Sequence, residues 1–168
     1  MNFIKKYIVY IPLLALLIYG SFFAFVKLSA TSEGELAPDF EAELIDGTAF
    51  KLSSLRGKYV LLDFWGSWCA PYRSANPSLV ELHHKYSDQL HIVTVALEKE
   101  KKSGIVVAEK DGFDWKHQIV EQSNLVLLSE TARKYGVTAI PSKFLIAPDG
   151  KMLGDLSFAQ IDSLMLTL

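Results

Sequence analysis

The chain has 168 residues, a formal net charge of -2 and a hydrophobic content of 50%, which fit one globular domain of ordinary size. Its lysines are scattered or interleaved with glutamates, so we expect no nucleic-acid partner. The single cysteine excludes an internal disulfide framework and a cysteine-based zinc site, because each needs several cysteines from one chain.

Residues 1–28 predict a membrane anchor. A basic start, MNFIKK, precedes an uncharged apolar run over residues 8–26, which as a helix is long enough to cross the ~30 Å core of a bilayer. A cleaved signal peptide is the alternative, although its apolar region is usually about 7 to 15 residues long. We therefore expect an uncleaved, single-pass transmembrane helix in the cytoplasmic membrane. More positive charges precede the run than follow it, which places the rest of the chain in the periplasm or at the cell exterior.

The small and polar residues 29–36 predict a linker between this anchor and a domain over residues 37–168. Near the start of the domain, FEAELIDGTAFKLSSL alternates apolar and polar residues on both sides of Asp46 and Gly47. This pattern, centred on an Asp-Gly pair, predicts a β-hairpin.

The apolar run YVLLDFW, Tyr59–Trp65, is interrupted only by Asp63 and predicts a central strand that is covered on both faces. Helical spacing of apolar residues follows over residues 69–86. Pro71 is compatible with the first turn of this helix, whereas Pro77 should kink it.

Strand and helix patterns then alternate to the C terminus. HIVTVAL predicts a second buried strand, Lys101–Lys110 a polar helix, and Ser129 the cap of a short helix that ends at Gly136. SKFLIA and KMLGDL flank the turn sequence Pro-Asp-Gly and predict a second hairpin, and FAQIDSLMLTL predicts a last amphipathic helix. This order indicates an α/β sandwich in which the sheet mixes parallel crossovers with hairpins.

Cys69 lies between the predicted central strand and the helix that follows it. Free backbone N–H groups and the positive end of a helix dipole at that point favour the reactive thiolate. A lone cysteine can also be a small buried apolar residue. Trp65, Trp68 and Pro71 crowd this junction, however, and loops at such positions carry function more often than cores do, so we expect an exposed and reactive thiol.

Dithiol exchange needs a second sulfur about one helical turn from the first, and that position holds Tyr72. A phenol cannot replace the resolving thiol, so Cys69 could form a mixed disulfide that waits for an external thiol, or accept an oxidant as sulfenic acid. Asp63, a carboxyl in an apolar strand, should have a raised pKa and could exchange protons with a nearby sulfur. A buried structural acid is the alternative.

Two separate segments resemble the thioredoxin-like thiol-disulfide oxidoreductases of the TlpA/ResA type, which are tethered to the membrane and face the periplasm or the cell exterior. The first is APDFEAELIDGTAFKLSSLRGKYVLLDFWGSWCAPYR, similar to the opening of that family, where a tryptophan precedes a C-x-x-C pair. The second, YGVTAIPSKFLIAPDGKML, is similar to its cis-proline segment. The resemblance covers residues 37–168 and implies a three-layer thioredoxin-like sandwich with an N-terminal β-hairpin extension.

The resemblance also implies roles for single residues. Cys69 would be the attacking thiol and Asp63 the buried acid below it. A partner peptide would bind against Trp68, Pro71, Tyr72, Ile140 and Pro141, with Pro141 in the cis form. The second cysteine of the family is Tyr72 in this chain, and Ala75 stands where relatives often have an acidic residue.

Two function classes remain open, and neither needs a metal or a cofactor. In the first, Cys69 exchanges with protein thiols or disulfides and an external thiol resolves the mixed disulfide. In the second, the protein is a redox-inactive binding module that holds an extended peptide beside Pro141. A dimer linked through Cys69 is a further possibility in an oxidising compartment. Peroxiredoxins share parts of the fold but need a threonine where this chain has Gly66, so we do not expect peroxidase activity.

Overall fold

The computed structural model describes residues 10–28, 32–123 and 125–167. An N-terminal helix, α1, spans Tyr10–Leu28. Within the described residues, no helix combines the length and the apolar character needed to cross a membrane. The transmembrane helix predicted over residues 8–26 is therefore not confirmed, and the first two residues of that prediction lie outside the described part of the chain.

The centre of the fold is a five-stranded mixed sheet with the strand order β5-β4-β3-β6-β7. The strands are β3 Tyr59–Trp65, β4 Leu90–Glu98, β5 His117–Gln122, β6 Ser142–Ile146 and β7 Met152–Gly154. β3, β4 and β5 run parallel, whereas β6 is antiparallel to both of its neighbours. β3 is paired on both sides and buried on both faces, which explains its nearly continuous apolar sequence.

The predicted N-terminal hairpin is confirmed as a separate two-stranded unit. β1 Glu41–Glu43 pairs antiparallel with β2 Ala49–Lys51, and Gly47 takes the positive φ of 84° in the turn between them. The chain before this hairpin also pairs with the sheet. The backbone N–H of Gly34 donates to the carbonyl oxygen of Met152 at 2.9 Å, so the last residues of the predicted linker lie along β7.

Apolar cores lie on both faces of the sheet, which gives the expected three layers. Because side chains alternate along a strand, Val60, Leu62 and Phe64 enter one core, and Leu61 and Trp65 enter the other. The first core is closed by the hairpin and by helix α5, Glu130–Lys134. The second is closed mainly by α3, Asn76–Tyr86, and α6, Phe158–Met165. The same alternation places Asp63 on the face covered by α3.

The single helix predicted over residues 69–86 is in fact two helices, α2 Ala70–Arg73 and α3 Asn76–Tyr86. Pro77 has no N–H with which to continue the hydrogen bonding of α2, so the helix is interrupted, and Pro77 lies in the first turn of α3. The helix that follows Cys69, whose dipole was expected to favour the thiolate, is therefore only four residues long. Helix α4 spans Lys101–Lys110, with the bounds that the sequence predicted.

Candidate functional site

Cys69 lies on the loop that leaves the central strand β3 and caps helix α2. Its carbonyl oxygen accepts hydrogen bonds from the backbone N–H groups of Tyr72 at 3.1 Å and Arg73 at 3.3 Å. Its own N–H donates to the carbonyl oxygen of Gly66 at 3.0 Å. The side chain is half-buried, so the sulfur lies at the rim of the fold and is not sealed inside it.

The segment with the cis peptide bond Ile140-Pro141 lies directly beside this sulfur. The Sγ atom of Cys69 is 4.0 Å from the carbonyl oxygen of Ile140. Residues 71 positions apart meet there because β6 runs antiparallel to β3, with Phe64 opposite Ser142. Pro141 is exposed and Ile140 is half-buried. A polypeptide bound along this segment would therefore pass the thiol.

Trp68 forms an exposed wall of the site. Its side chain is 61% exposed, and its indole N–H donates to the carbonyl oxygen of Leu97 at 3.0 Å. Trp68 and Ile140 close in on Gly66, where a Cβ atom would lie 2.8 Å from the indole Nε1 atom and 3.0 Å from the Ile140 Cδ1 atom. The threonine that peroxiredoxins need at this position would not fit without displacing one of these side chains.

Tyr72, which was predicted to contact a partner peptide, is enclosed in the core of this structure. Its side chain is 2% exposed and belongs to the core beneath α3, with its ring 6.0 Å from that of Trp65. The Tyr72 hydroxyl donates a hydrogen bond to Asp63. Pro71 lies in the first turn of α2, and its side chain is not among those that the structure describes.

Asp63 is completely buried beneath the loop. Burial raises the pKa of its carboxyl group from 3.8 to about 8, a shift that Lys143 opposes and Asp155 reinforces. At neutral pH this group is therefore mostly protonated. One of its oxygens accepts from Tyr72, and the other has no hydrogen-bond partner among the described residues. Asp63, which the resemblance assigned to thiol chemistry, is thus hydrogen-bonded to the phenol of Tyr72.

A second buried acid, Glu98, was missed by sequence reasoning. It is the last residue of β4 and is 2% exposed. Its carboxylate accepts from both the backbone N–H and the hydroxyl of Ser67, two residues before Cys69. An acidic residue at the end of the apolar run HIVTVALE was the signal available in the sequence. Its partner could not be read from the sequence, because the pairing of Trp65 with Ala96 across two strands brings the two residues together.

Two adjacent histidines lie beside one carboxylate. His83 and His84 both approach Asp114, at 3.6 Å and 3.4 Å between ring nitrogen and carboxylate oxygen. Within residues 10–28, 32–123 and 125–167, no group of three or more His, Cys, Asp and Glu side chains is placed to hold a metal ion.

The raised pKa of Asp63 predicts how the stability of the protein depends on pH. In the unfolded chain this carboxyl is ionised above its ordinary pKa of 3.8, whereas in the folded chain it stays protonated up to about 8. Folding therefore takes up a proton between these values, and its contribution to stability falls as pH rises, by up to about 1.4 kcal/mol per pH unit. The substitution Asp63→Asn removes this titration and keeps the volume of the side chain.

Urea unfolding of wild type and Asp63→Asn at a series of pH values measures the effect. Between about pH 5 and pH 7.5, the free energy of unfolding of the wild type should fall relative to that of the variant. Contributions of the histidines cancel in this comparison. A difference that does not change with pH would contradict the raised pKa.

Comparison with known proteins agrees with this geometry. Residues 34–153 match the AhpC/TSA family. The thiol-disulfide oxidoreductase ResA of Geobacillus thermodenitrificans (strain NG80-2) is 33% identical over 136 residues, which are 80% of this chain and 74% of the relative. The thioredoxin-like protein YneN of Bacillus subtilis (strain 168) is 32% identical over 119 residues, 70% of this chain and 67% of the relative.

Solved structures share the fold. A thiol-disulfide oxidoreductase from Bacteroides fragilis NCTC 9343 superposes with a TM-score of 0.71 at 28% identity, covering 80% of this chain and 100% of that one. The resemblance to the TlpA/ResA type is therefore confirmed. The chain belongs to the AhpC/TSA family and has the thioredoxin-like fold of the thiol-disulfide oxidoreductases within it.

Proposed function

We propose that the protein carries out thiol-disulfide exchange with a single sulfur and that an external thiol completes each cycle. The observation that carries this proposal is the half-buried Cys69, with its Sγ atom 4.0 Å from the carbonyl oxygen of Ile140 at an exposed proline segment. This arrangement leaves the sulfur accessible at the place where an extended chain can lie. The substrates are protein disulfides and thiols, the class that the names of the relatives indicate.

The proposed cycle has two steps. The Cys69 thiolate attacks one sulfur of a partner disulfide, a bond forms between these two sulfurs, and the other partner sulfur leaves as a thiolate with the electron pair. An external thiolate then attacks the partner sulfur of this mixed disulfide, and Cys69 leaves as the thiolate. One disulfide is exchanged for another, and there is no net oxidation or reduction.

The buried Tyr72 explains why the second thiol must come from outside. The chain has only one cysteine, and the residue in the resolving position is enclosed in the core with its hydroxyl bonded to Asp63. A mixed disulfide at Cys69 therefore has no internal thiol to break it. It persists until a free thiol reaches the rim of the site.

The bond between Tyr72 and Asp63 also favours a second candidate function. In this alternative the protein is a redox-inactive binding module that holds an extended peptide beside Pro141 by backbone pairing. The pair supports it because the buried acid is occupied by a group that takes no part in disulfide exchange. The two functions differ in whether partner capture requires the sulfur.

Trapping with a peptide disulfide separates the two functions. Wild-type protein should form a covalent adduct with the peptide, visible by mass spectrometry, and an added monothiol should release it, whereas Cys69→Ser should form none. Absence of an adduct in wild type, together with equal peptide binding by Cys69→Ser, would sink the exchange proposal and support the binding module. A dimer linked through Cys69 would appear in the same experiment as a band of twice the mass on a non-reducing gel.

Restoring the second sulfur tests the geometry of the site. Tyr72→Cys should gain an internal disulfide on mild oxidation, measured as the loss of both free thiols, because positions 69 and 72 are one helical turn apart at the start of α2. Tyr72→Ser is the matched control, since it creates a similar cavity without a sulfur. If the Cys variant keeps both thiols under conditions that oxidise a free dithiol, the implied site geometry is incorrect.

We also propose that the domain lies outside the cytoplasmic membrane, tethered by the N-terminal segment. The uncharged residues 8–26, the lysines before them and the exposed apolar side chains along α1 support this location. Protease added to intact spheroplasts that express the full chain should digest the domain. Protection until the spheroplasts are lysed would place the domain in the cytoplasm and contradict the proposal.

A further inference from the structure

Glu98 is a buried carboxylate whose position the sheet alone does not explain. It follows the buried apolar residues Ala96 and Leu97 at the end of β4. Burying an ionisable group costs free energy unless hydrogen bonds compensate for the lost water. The described hydrogen bonds to its carboxylate both come from Ser67, on the loop that carries Cys69. The described hydrogen bonds of the Glu98 side chain therefore connect it to the loop and not to the sheet.

The loop of residues 66–69 is fixed to the end of β4 at two successive residues. The Ser67 hydroxyl donates to Glu98 Oε2 at 2.9 Å, and the Ser67 N–H donates to Oε1. The Trp68 indole N–H donates to the carbonyl oxygen of Leu97 at 3.0 Å. Hydrogen bonds to a carboxylate are among the stronger ones in proteins. The residue that follows these contacts is the reactive cysteine.

Glu98 is also contacted by α4 and by Ser123. A Cβ atom at Gly104 of α4 would lie 3.1 Å from its Cγ atom, so the helix packs closely over the side chain. Its backbone carbonyl oxygen accepts from the N–H of Ser123 at 2.8 Å. On the other side of the loop, the space at Gly66 is bounded by Ile140. The loop is thus confined between the carboxylate and the segment where a partner would bind.

We infer that Glu98 is a positioning residue for Cys69, which through Ser67 holds the loop in the orientation that aligns the sulfur with a disulfide docked beside Ile140. The inference rests on the proposed thiol-disulfide exchange. Attack on a disulfide requires the reacting sulfurs to be aligned, and a displacement of about 1 Å can reduce a rate by as much as ~100-fold. Glu98 itself transfers no proton or electron in this scheme and does not touch the reacting atoms.

Two reactions of the same sulfur test the inference. The first uses a short peptide whose cysteine is linked by a disulfide to 2-nitro-5-thiobenzoate. Cys69 bonds to the peptide sulfur, the disulfide of the probe breaks, and the coloured thiobenzoate leaves with the electron pair. The second is alkylation by iodoacetamide, a small reagent that needs no docked partner. A loss of alignment should slow the first reaction and not the second.

Glu98→Ala should slow the peptide reaction by about tenfold and change the alkylation rate by less than about twofold. Glu98→Gln should recover most of the rate, because its amide oxygen can accept from the Ser67 N–H and its amide group can donate to the Ser67 hydroxyl. The matched control is Glu100→Ala, which removes an exposed carboxylate two positions away and should react like wild type.

Ser67→Ala keeps the carboxylate and removes only the hydroxyl contact, so it decides the question if Glu98→Ala does not fold. It should slow the peptide reaction and leave alkylation unchanged. Wild-type peptide rates in Ser67→Ala, or an equal loss in Glu98→Gln and Glu98→Ala, would overturn the positioning role while the proposed exchange stands. A wild-type protein that is alkylated but never reacts with the peptide disulfide would overturn both.

Discussion

The antiparallel pairing of β3 with β6 is the constraint from which the site follows. Because the two strands run in opposite directions, the end of β3 lies beside the start of β6. The loop that follows β3 carries Cys69, and Ile140-Pro141 directly precedes β6. These two segments therefore have to meet. Neither segment could be moved without changing the register of two central strands in the sheet.

The same strand determines what lies below the thiol. Alternation along β3 sends Asp63 to the helix-covered face, where an acid without a partner would be costly. In this chain the partner is a phenol that enters from α2 and fills the space with a bulky ring. Position 72, where the resemblance leads one to expect a second cysteine, is therefore part of the hydrophobic core in this chain and gives the buried acid a hydrogen-bond partner.

Much of this fold could be predicted, because the patterns that indicate its strands, helices and helix caps each lie within a short stretch of sequence. β3 and α4 have the predicted bounds, and the cap at Ser129 accepts from the N–H of Ala132 as expected. β5 was missed because HQIVEQ is short and four of its six residues are polar, so that its pairing with β4 is what identifies it as a strand. Its backbone partners come from a distant part of the chain.

The details of the site were harder to predict, since they depend on contacts between distant residues. Comparison of motifs placed Tyr72 beside a partner peptide, whereas its burial depends on contacts with Asp63 and Trp65 of β3. The contact between Ser67 and Glu98 depends on the register of two parallel strands, which no short motif contains. Sequence patterns singled out Cys69, and the tertiary fold determined its neighbours.

The N-terminal extension pairs with the backbone at both edges of the sheet. Leu36 bridges to Lys151 beside β7, and Leu44 bridges to Ile119 on β5, at opposite ends of the strand order. Unpaired outer strands are the usual template on which a second molecule adds and aggregation begins. A segment that precedes the thioredoxin-like sheet in the chain thus takes up backbone hydrogen-bonding groups at both outer strands, where a second molecule would otherwise be able to pair.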